Sequence, residues 1–295
     1  MNEVQFSELD YMGLLQRIID TGVDTPDRTG IGCRKVLNHQ IVWGGGEFPF
    51  STTRMLSPRL AWEEMSLFIN GESNTKKLEE KKIFFWQGNT SREFLDNRGL
   101  QHLPEGDLGA SYSSQFRKAG ASVSPNHVDQ LKNLVDGLRD NPYSRRHAID
   151  LWGITEQHHM PLLPCWWRSN WSVLPAKNGK KELHLKLYSR SNDLVFGYWF
   201  AAMQYRMLQM AIAELLGYEV GLMVTDLWDV HVYHNQLEYA KEILSRDYGS
   251  AGTVSINKEL NSFDDLLDLE YSDFGIEGYE PNREKFVTPR PEIAI

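Results

Sequence analysis

The chain has only two cysteines, Cys33 and Cys165, and so few exclude a fold held together by a framework of disulfide bonds. We therefore expect a reducing compartment and a cytoplasmic location. Apolar runs are also short, and none approaches the roughly 18 residues that are needed to cross a bilayer. The first residues do not combine a basic start with an apolar segment, so no signal peptide is expected either.

The chain lacks a surplus of basic residues as well. Its formal net charge is −9, whereas a protein that binds nucleic acid through the phosphates presents a basic face. This charge argues against a nucleic-acid partner. It does not exclude one small basic pocket for a single phosphate.

No repeat, low-complexity linker or break in composition divides the chain, so residues 1–295 are expected to form one domain. Apolar spacing predicts helices at 8–21, 60–69, 129–140 and 199–216. Extended segments are expected at 36–43, 146–152, 166–173 and 182–188, the last with strict alternation in ELHLKLY. Helices and strands mixed in this way favour an α/β (α+β) fold over an all-helical or all-β one.

Cys165 is the first candidate for chemistry, in the stretch LLPCWW at 162–167. A nucleophilic cysteine reacts as the thiolate, which needs a positive neighbour, and the chain offers Arg190 and the pair Arg145 and Arg146. A lone cysteine between apolar residues is, however, more often a small buried hydrophobe. The residues alone leave both interpretations open.

Other polar residues carry the same ambiguity. Arg145 and Arg146 are either a solvated pair or a phosphate clamp, because the planar guanidinium suits phosphate oxygens. Asp193 follows a regular strand and is either a turn cap or an acid that binds a ligand.

The segment DVHVY at 229–233 places Asp229, His231 and Tyr233 on one face if it is extended. That face is either a sugar-binding row or the wet side of a strand. Glu63 and Glu64 lie within an apolar helix, and one of them forced inward would have a raised pKa suited to proton transfer.

A series of short blocks runs in one order along nearly the whole chain, and together they are more specific than any single motif. The blocks include DRTG at 27–30, FPF at 48–50, TTR at 52–54, FINGESN at 68–74, SREFLD at 91–96, EGDLG at 105–109, QFR at 115–117, SRR at 144–146, LPC at 163–165, LYSRSND at 187–193, DVHVY at 229–233 and IEGYEP at 276–281. In these blocks the chain resembles the thymidylate synthase family and its relatives, the pyrimidine nucleotide hydroxymethylases.

The resemblance implies a covalent mechanism. Cys165 would attack C6 of a pyrimidine, and C5 would then attack the one-carbon unit of 5,10-methylenetetrahydrofolate. Glu64 would order water and move protons, Tyr112 would lie near the cysteine, and Asp193 would act at the same centre. No metal is implied.

The resemblance also implies how the two small molecules are bound. Arg28, Arg190 and Ser191 would hold the phosphate, joined by Arg145 and Arg146 from a second subunit. His231 and Tyr233 would bind the sugar, and Trp86 with Asp193 would position the folate. The implied protein is a homodimer whose mixed sheets, covered by helices, stack across the subunit interface.

Two positions of the nucleotide site depart from the synthase pattern. Trp166 stands where a histidine follows the cysteine, and Ala201 stands where an asparagine reads the edge of uracil. Alanine supplies no hydrogen bond, so discrimination of uracil from cytosine through this position is lost. Trp166, Trp199 or a bound water would then read the base.

Two further segments distinguish the branches of the family. RSNDLVFG at 190–197 is closer to the hydroxymethylases, in which water adds to the methylene intermediate and no hydride is transferred. The tail at 276–295 is synthase-like, and such a tail excludes water from the site. An insertion, NREKFV at 282–287, lengthens this tail and would alter closure.

Taken together, the sequence predicts a folate-dependent enzyme that hydroxymethylates C5 of a cytidylate, CMP or dCMP. The alternatives are a thymidylate synthase that methylates dUMP, a dUMP hydroxymethylase, and, furthest from the pattern, a nucleotide-binding protein without catalysis.

Overall fold

The computed structural model describes residues 5–293 of the chain. The helices are α1 (Phe6–Thr21), α2 (Pro58–Ile69), α3 (Lys76–Glu80), α4 (Arg92–Asn97), α5 (Tyr112–Arg117), α6 (Gln130–Asp140), α7 (Gly197–Leu216), α8 (Leu237–Ser245) and α9 (Phe263–Leu267). The strands are β1 (Val23–Thr25), β2 (Cys33–Trp43), β3 (Ala148–Asp150), β4 (Trp166–Pro175), β5 (Lys181–Ser189), β6 (Asn192–Asp193), β7 (Glu219–Tyr233), β8 (Thr253–Ile256) and β9 (Phe274–Glu277).

Strands β1 to β7 form one mixed sheet in the order β1-β2-β7-β5-β4-β3, with β6 beside β7. The pairings of β7 with β5 and with β6 are parallel, and the remaining pairings are antiparallel. Strands β8 and β9 form a separate antiparallel pair. This arrangement confirms the predicted mixed α/β fold class.

Strand β5 shows how the alternation in the sequence becomes burial. Leu183, Leu185 and Leu187 are all fully buried, while the residues between them are only half-buried. Successive side chains of a strand point to opposite faces, so one face of β5 lies against the core and the other is more open.

Helix α7 is the central helix of the core and packs against α2 and the sheet. Most of its side chains are buried around its whole circumference, which is typical of a helix enclosed by other elements. It ends at Gly217, whose left-handed backbone (φ +66°) favours glycine at this position.

The predicted helices are all present, with ends within two residues of those expected. The strand predicted at 146–152 is shorter, because only Ala148–Asp150 pairs with β4 and the Asp150 carboxylate then accepts the N–H of Trp152, at 2.9 Å, in a turn. The elements that were not predicted are helices α3, α4, α5, α8 and α9, strands β1, β6, β8 and β9, and the first half of β7.

The inserted segment at 282–287 lies on α8. The Phe286 ring stacks on Tyr239 with centroids 4.3 Å apart, and the Glu242 carboxylate accepts the backbone N–H groups of Val287 and Thr288, each at 2.7 Å. The segment therefore anchors the tail. The last residues of the predicted tail, Ala294 and Ile295, lie outside the described residues.

Within residues 5–293, no helix is both long enough and apolar enough to span a bilayer.

Candidate active site

A cavity of about 350 Å³ opens between α2, α7 and the ends of strands β4 to β7. The site residues predicted from the sequence line it, with the exception of Arg145 and Arg146. Those that line it are Arg28, Glu64, Trp86, Tyr112, Cys165, Trp166, Arg190, Ser191, Asp193, Ala201, His231 and Tyr233. Residues far apart in the chain therefore meet at one site.

Cys165 ends the loop that leads into β4, and its position is fixed by hydrogen bonds to its backbone. Its N–H donates to Tyr112 Oη at 2.9 Å, and its carbonyl accepts the N–H of Arg190 at 3.0 Å. Arg190 lies beside it because β5, which ends one residue earlier, pairs with β4. The thiol is free.

The side chain of Arg190 braces the loop that carries the cysteine. Its Nε donates to the Pro164 carbonyl and its Nη2 to the Leu163 carbonyl, both at 2.9 Å. Burial raises the pKa of the Cys165 thiol, and the charges of Arg190 and Arg28 oppose that rise. The arginines therefore favour the thiolate within a site that otherwise disfavours charge.

Glu64 is the buried glutamate that the apolar helix predicts, while Glu63 pairs with Lys81 nearer the surface. The Glu64 carboxylate accepts a hydrogen bond from Trp86 Nε1–H, at 2.5 Å, through one oxygen and from Gln204 Nε2–H through the other. Burial raises the pKa of Glu64 to about 7, although both hydrogen bonds oppose the rise. Such a carboxyl group can both take and give a proton near neutral pH.

The end of β7 carries a row of polar side chains, as the spacing predicts. Asp229 accepts from Lys35 Nζ at 2.6 Å, and its second oxygen lies 3.1 Å from His231 Nδ1. The His231 ring packs edge-on against Tyr233, with centroids 5.1 Å apart. The contact between Asp229 and Nδ1 fixes the orientation of the His231 ring, and His231 lines the cavity.

Asp193 caps the turn into α7. Its Oδ1 accepts the N–H groups of Val195 and Phe196 at 2.9 and 3.0 Å, and its Oδ2 accepts Gln236 Nε2–H at 3.0 Å. The turn-cap interpretation of Asp193 is therefore confirmed, and the same residue also lines the cavity.

The arginines fall into two groups. Arg28 and Arg190 line the cavity, and Arg28 extends from an exposed turn in which Asp27 accepts the N–H of Gly32 at 3.1 Å. Arg145 and Arg146 are exposed and lie outside this cavity.

Ala201 on α7 and Trp166 on β4 both line the cavity and are buried. The suggestion that Trp199 reads the base is wrong, because its indole lies in the core, 4.6 Å from the ring of Tyr11. Trp199 and Ala201 are two positions apart, which places their side chains about 200° apart around the helix, so they do not share one face.

Several residues of the cavity were not predicted as site residues, among them Gln204, Asn89 and Arg290. Gln204 could have been found, since it lies one helical turn after Ala201 on the same face of α7. The Arg290 guanidinium lies over the ring of Phe196, 5.3 Å from its centroid, and brings the tail to the mouth of the cavity. Nothing in the local sequence marks Asn89.

Aromatic side chains form the remaining wall, contributed by Phe68, Phe85, Trp86, Phe196 and Phe200. The rings of Phe85 and Phe200 lie 5.2 Å apart, so flat apolar surfaces face the cavity at this end. Across residues 5–293, His, Cys, Asp and Glu form no group of three that could hold a metal ion.

Comparison with known proteins agrees with this site. The family model described as thymidylate synthase matches residues 9–288. Thymidylate synthase of Ascaris suum is 35% identical over 272 residues, which cover 89% of this chain and 91% of that protein.

Two further relatives have similar sequence identities. The Agaricus bisporus thymidylate synthase is 34% identical over 286 residues, covering 93% of this chain and 96% of its own length. The Homo sapiens enzyme is 34% identical over 283 residues, covering 93% and 88%. The cavity, its cysteine and these matches together establish that the chain belongs to the thymidylate synthase family.

Proposed function

We propose that this protein transfers a one-carbon unit from 5,10-methylenetetrahydrofolate to C5 of a pyrimidine nucleoside monophosphate. The observation that carries the proposal is the meeting, in one cavity, of a free cysteine, two arginines and a buried glutamate whose pKa is about 7. Few other reactions need a soft nucleophile, a phosphate site and a proton carrier within one small space.

Cys165 performs the covalent step. Its sulfur adds to C6 of the pyrimidine, and the electron pair of the C5–C6 bond becomes available at C5. The folate supplies the electrophilic carbon. Once the one-carbon unit is bonded to C5, loss of the C5 proton would release tetrahydrofolate and leave a methylene group on C5. Addition of water to that methylene would return an electron pair to C5, and this pair expels the sulfur from C6, restores the ring and frees Cys165. Glu64 is placed to assist these proton transfers.

The polar end of the cavity fits the nucleotide. Arg28 and Arg190 supply positive charge for the phosphate, with Ser191 beside them, and His231 and Tyr233 lie next to one another at the sugar position. On this proposal, a nucleotide held by these residues would have C6 of its base near Cys165.

The aromatic end of the cavity fits the folate. Trp86 and the facing phenylalanines present flat apolar surfaces against which a pterin ring can stack. Asp193 lies at the border between the two ends, and the buried Nδ2 of Asn89, which has no partner among the described residues, supplies a further donor.

We further propose that the substrate is a cytidylate, CMP or dCMP, and that the product carries a 5-hydroxymethyl group. The support is Ala201, whose methyl group replaces the amide that would read uracil at this wall. The segment RSNDLVFG at 190–197, which resembles the hydroxymethylases, points the same way. On this proposal water adds to the one-carbon unit after the folate has left.

A product assay tests both parts of the proposal. We would incubate the protein with methylenetetrahydrofolate and each of CMP, dCMP, UMP and dUMP, and determine the nucleotide mass. A gain of about 30 mass units, one CH₂O, fastest on a cytidylate and without dihydrofolate, is the expected result. A heat-treated sample of the same protein serves as the blank.

Methylation of dUMP is the second candidate, and the printed names of the relatives favour it, since each is called a thymidylate synthase. It would give a gain of about 14 mass units, one CH₂, with dihydrofolate formed in equal amount. That result would replace the cytidylate proposal. A CH₂O gain on dUMP would identify a uridylate hydroxymethylase.

We also propose a cytoplasmic homodimer in which Arg145 and Arg146 of one subunit complete the phosphate site of the other. The support is that both arginines are exposed and lie outside the cavity of their own chain. Exposed apolar side chains on the sheet, among them Trp228, Val42 and Leu222, offer a surface across which two sheets can stack.

Mixing two inactive variants tests this arrangement. Arg145→Ala/Arg146→Ala lacks the donated charges and Cys165→Ser lacks the nucleophile, so we expect both to be inactive alone. After equal amounts are mixed and subunits exchange, about one quarter of the sites should combine an intact cysteine with intact arginines, and that fraction of wild-type activity should return. Arginines that act within their own subunit would restore nothing.

A further inference from the structure

Five residues of α7 line the cavity: Gly197, Phe200, Ala201, Gln204 and Tyr205. Their spacing of three and four residues places them in a single stripe along the helix. Phe200 and Ala201 offer no hydrogen bond to a base, and Gly197 has no side chain. Gln204 and Tyr205 are therefore the polar side chains of this stripe, and only Gln204 offers a fixed acceptor, because the Tyr205 hydroxyl can donate or accept.

The orientation of the Gln204 amide is set by Glu64. The side chain is buried, and its Nε2 donates to the Glu64 carboxylate, which can only accept when ionised. Trp86 Nε1–H occupies the other oxygen of the same carboxylate. Turning the Gln204 amide over would place two oxygens against each other, so Nε2 faces Glu64 and Oε1 faces away from it.

The carbonyl oxygen of Gln204 is left as an acceptor. Within the described residues no N–H or O–H group donates to Oε1, and Gln204 lines the cavity. Cytosine carries an amino group at C4, which donates, whereas uracil carries an oxygen there, which only accepts. An acceptor on the protein therefore pairs with cytosine and repels the corresponding edge of uracil.

We infer that Gln204 is the specificity-determining residue for the base, with its Oε1 accepting a hydrogen bond from the exocyclic amino group of a cytidylate. The inference rests on the proposed function, because it places a pyrimidine with C6 at Cys165 in this cavity. Gln204 would thus recognise the base in place of Ala201, which has no hydrogen-bonding group.

Other polar groups of the wall are less suited to this role. Trp166 has only an indole N–H, which donates and so cannot bind an amino group. The Oδ1 atom of Asn192, on β6, has no hydrogen-bond partner among the described residues, but it is buried. Both oxygens of Glu64 are already engaged.

Binding constants of two base types test the inference. We would measure Kd by calorimetry for CMP, dCMP, UMP and dUMP with wild type, Gln204→Met, Gln204→Glu and Asn192→Ala. Methionine keeps the length of glutamine but removes the acceptor, so cytidylate should bind about tenfold more weakly, while uridylate should bind as tightly as before or more tightly because the repulsion from Oε1 is gone. The preference of wild type for cytidylate should therefore disappear.

Gln204→Glu is the conservative variant. Two carboxyl groups this close share one proton, so residue 204 can still donate to Glu64 and present an oxygen to the base. The cytidylate preference should remain within about threefold of wild type. Asn192→Ala is the matched control inside the same cavity and should leave the ratio of the two affinities unchanged.

A purely structural role for Gln204 would weaken both base types equally in Gln204→Met, and that result would overturn the inference while leaving the proposed chemistry intact. A ratio that collapses in Asn192→Ala but not in Gln204→Met would overturn it too, as would a wild type without cytidylate preference. If wild type turns over no pyrimidine nucleotide at all, the proposed function itself fails.

Discussion

Cys165→Ser is expected to lower kcat by about 10⁴-fold or more, while the Kd for the nucleotide changes by less than about threefold. Serine keeps the size of the side chain and the backbone contacts with Tyr112 and Arg190. Its hydroxyl, however, is a far weaker nucleophile, and no described side chain contacts residue 165 as a general base. Initial rates with saturating nucleotide and folate, together with calorimetric Kd values, would measure the two effects separately.

The chain supplies a matched control in its other cysteine. Cys33 is buried at the start of β2, with its Sγ 3.4 Å from Thr25 Oγ1, and lies outside the cavity. Cys33→Ser should keep kcat within about twofold of wild type. Turnover by Cys165→Ser above about one tenth of the wild-type rate would show that the covalent mechanism is wrong. An inactive wild type that still binds nucleotide would instead favour a binding protein.

The long regular elements could be predicted because each depends on its own residues. The leucines of β5 alternate, and the apolar residues of α1, α2 and α6 recur at helical spacing, so the pattern is visible within a few residues. The short helices α3, α4 and α5 have only five or six residues each. They are too short for a periodic signal, and packing of the surrounding chain determines them.

The site could be predicted largely through the resemblance, since the blocks that carry the polar residues are preserved in order. The residues alone left Cys165 and Asp193 ambiguous, because a nucleophile and a buried cysteine look the same in a single chain. Asp193 shows why the ambiguity was real, since it caps a turn and lines the cavity at once. Spacing within a strand or helix does not reveal which elements meet in space.

Gln204 and Trp199 show the limit of position-by-position comparison. Trp199 is only two positions from Ala201 in the chain, yet residues two apart on a helix point to nearly opposite sides, and Trp199 packs in the core. The residue that shares the face of Ala201 is Gln204, and its hydrogen bond to Glu64 can be seen only once α2 and α7 are packed together.

Glu64→Gln should lower kcat by about 10² to 10³-fold with little change in nucleotide Kd. Glu64 is the one carboxyl group that α2 contributes to the cavity, and its pKa of about 7 lets it exchange protons at neutral pH. Glutamine keeps the shape and one acceptor but cannot carry a proton. In wild type, kcat should fall as pH drops below about 7, because the ionised form that holds Trp86 and Gln204 is lost. The variant should lack that ionisation.

Glu63→Gln is the matched control, since Glu63 neighbours Glu64 on α2 but pairs with Lys81 and does not line the cavity. It should leave both kcat and the pH profile within about twofold of wild type. If Glu64→Gln retains the ionisation near pH 7, another group controls the rate and the assignment of the proton carrier to Glu64 is wrong.

The pH dependence of the free energy of unfolding gives a second test of Glu64, because the direction of the change can be predicted. The pKa of Glu64 is about 7 in the folded chain against an ordinary value of 4.5, so between these pH values the unfolded chain has lost a proton that the folded chain retains. The free energy of unfolding of wild type should therefore fall as pH rises through this window, by about 3 kcal/mol in total.

Glu64→Gln has no such proton, so its free energy of unfolding relative to wild type should increase by most of that amount between pH 5 and pH 8. Urea titrations at one fixed protein concentration would measure the difference. A relative stability that does not change with pH would mean that Glu64 is not held in a desolvated site. If the relative free energy of unfolding of Glu64→Gln increases with pH while its kcat is lowered, then the buried Glu64 promotes catalysis but destabilises the folded protein.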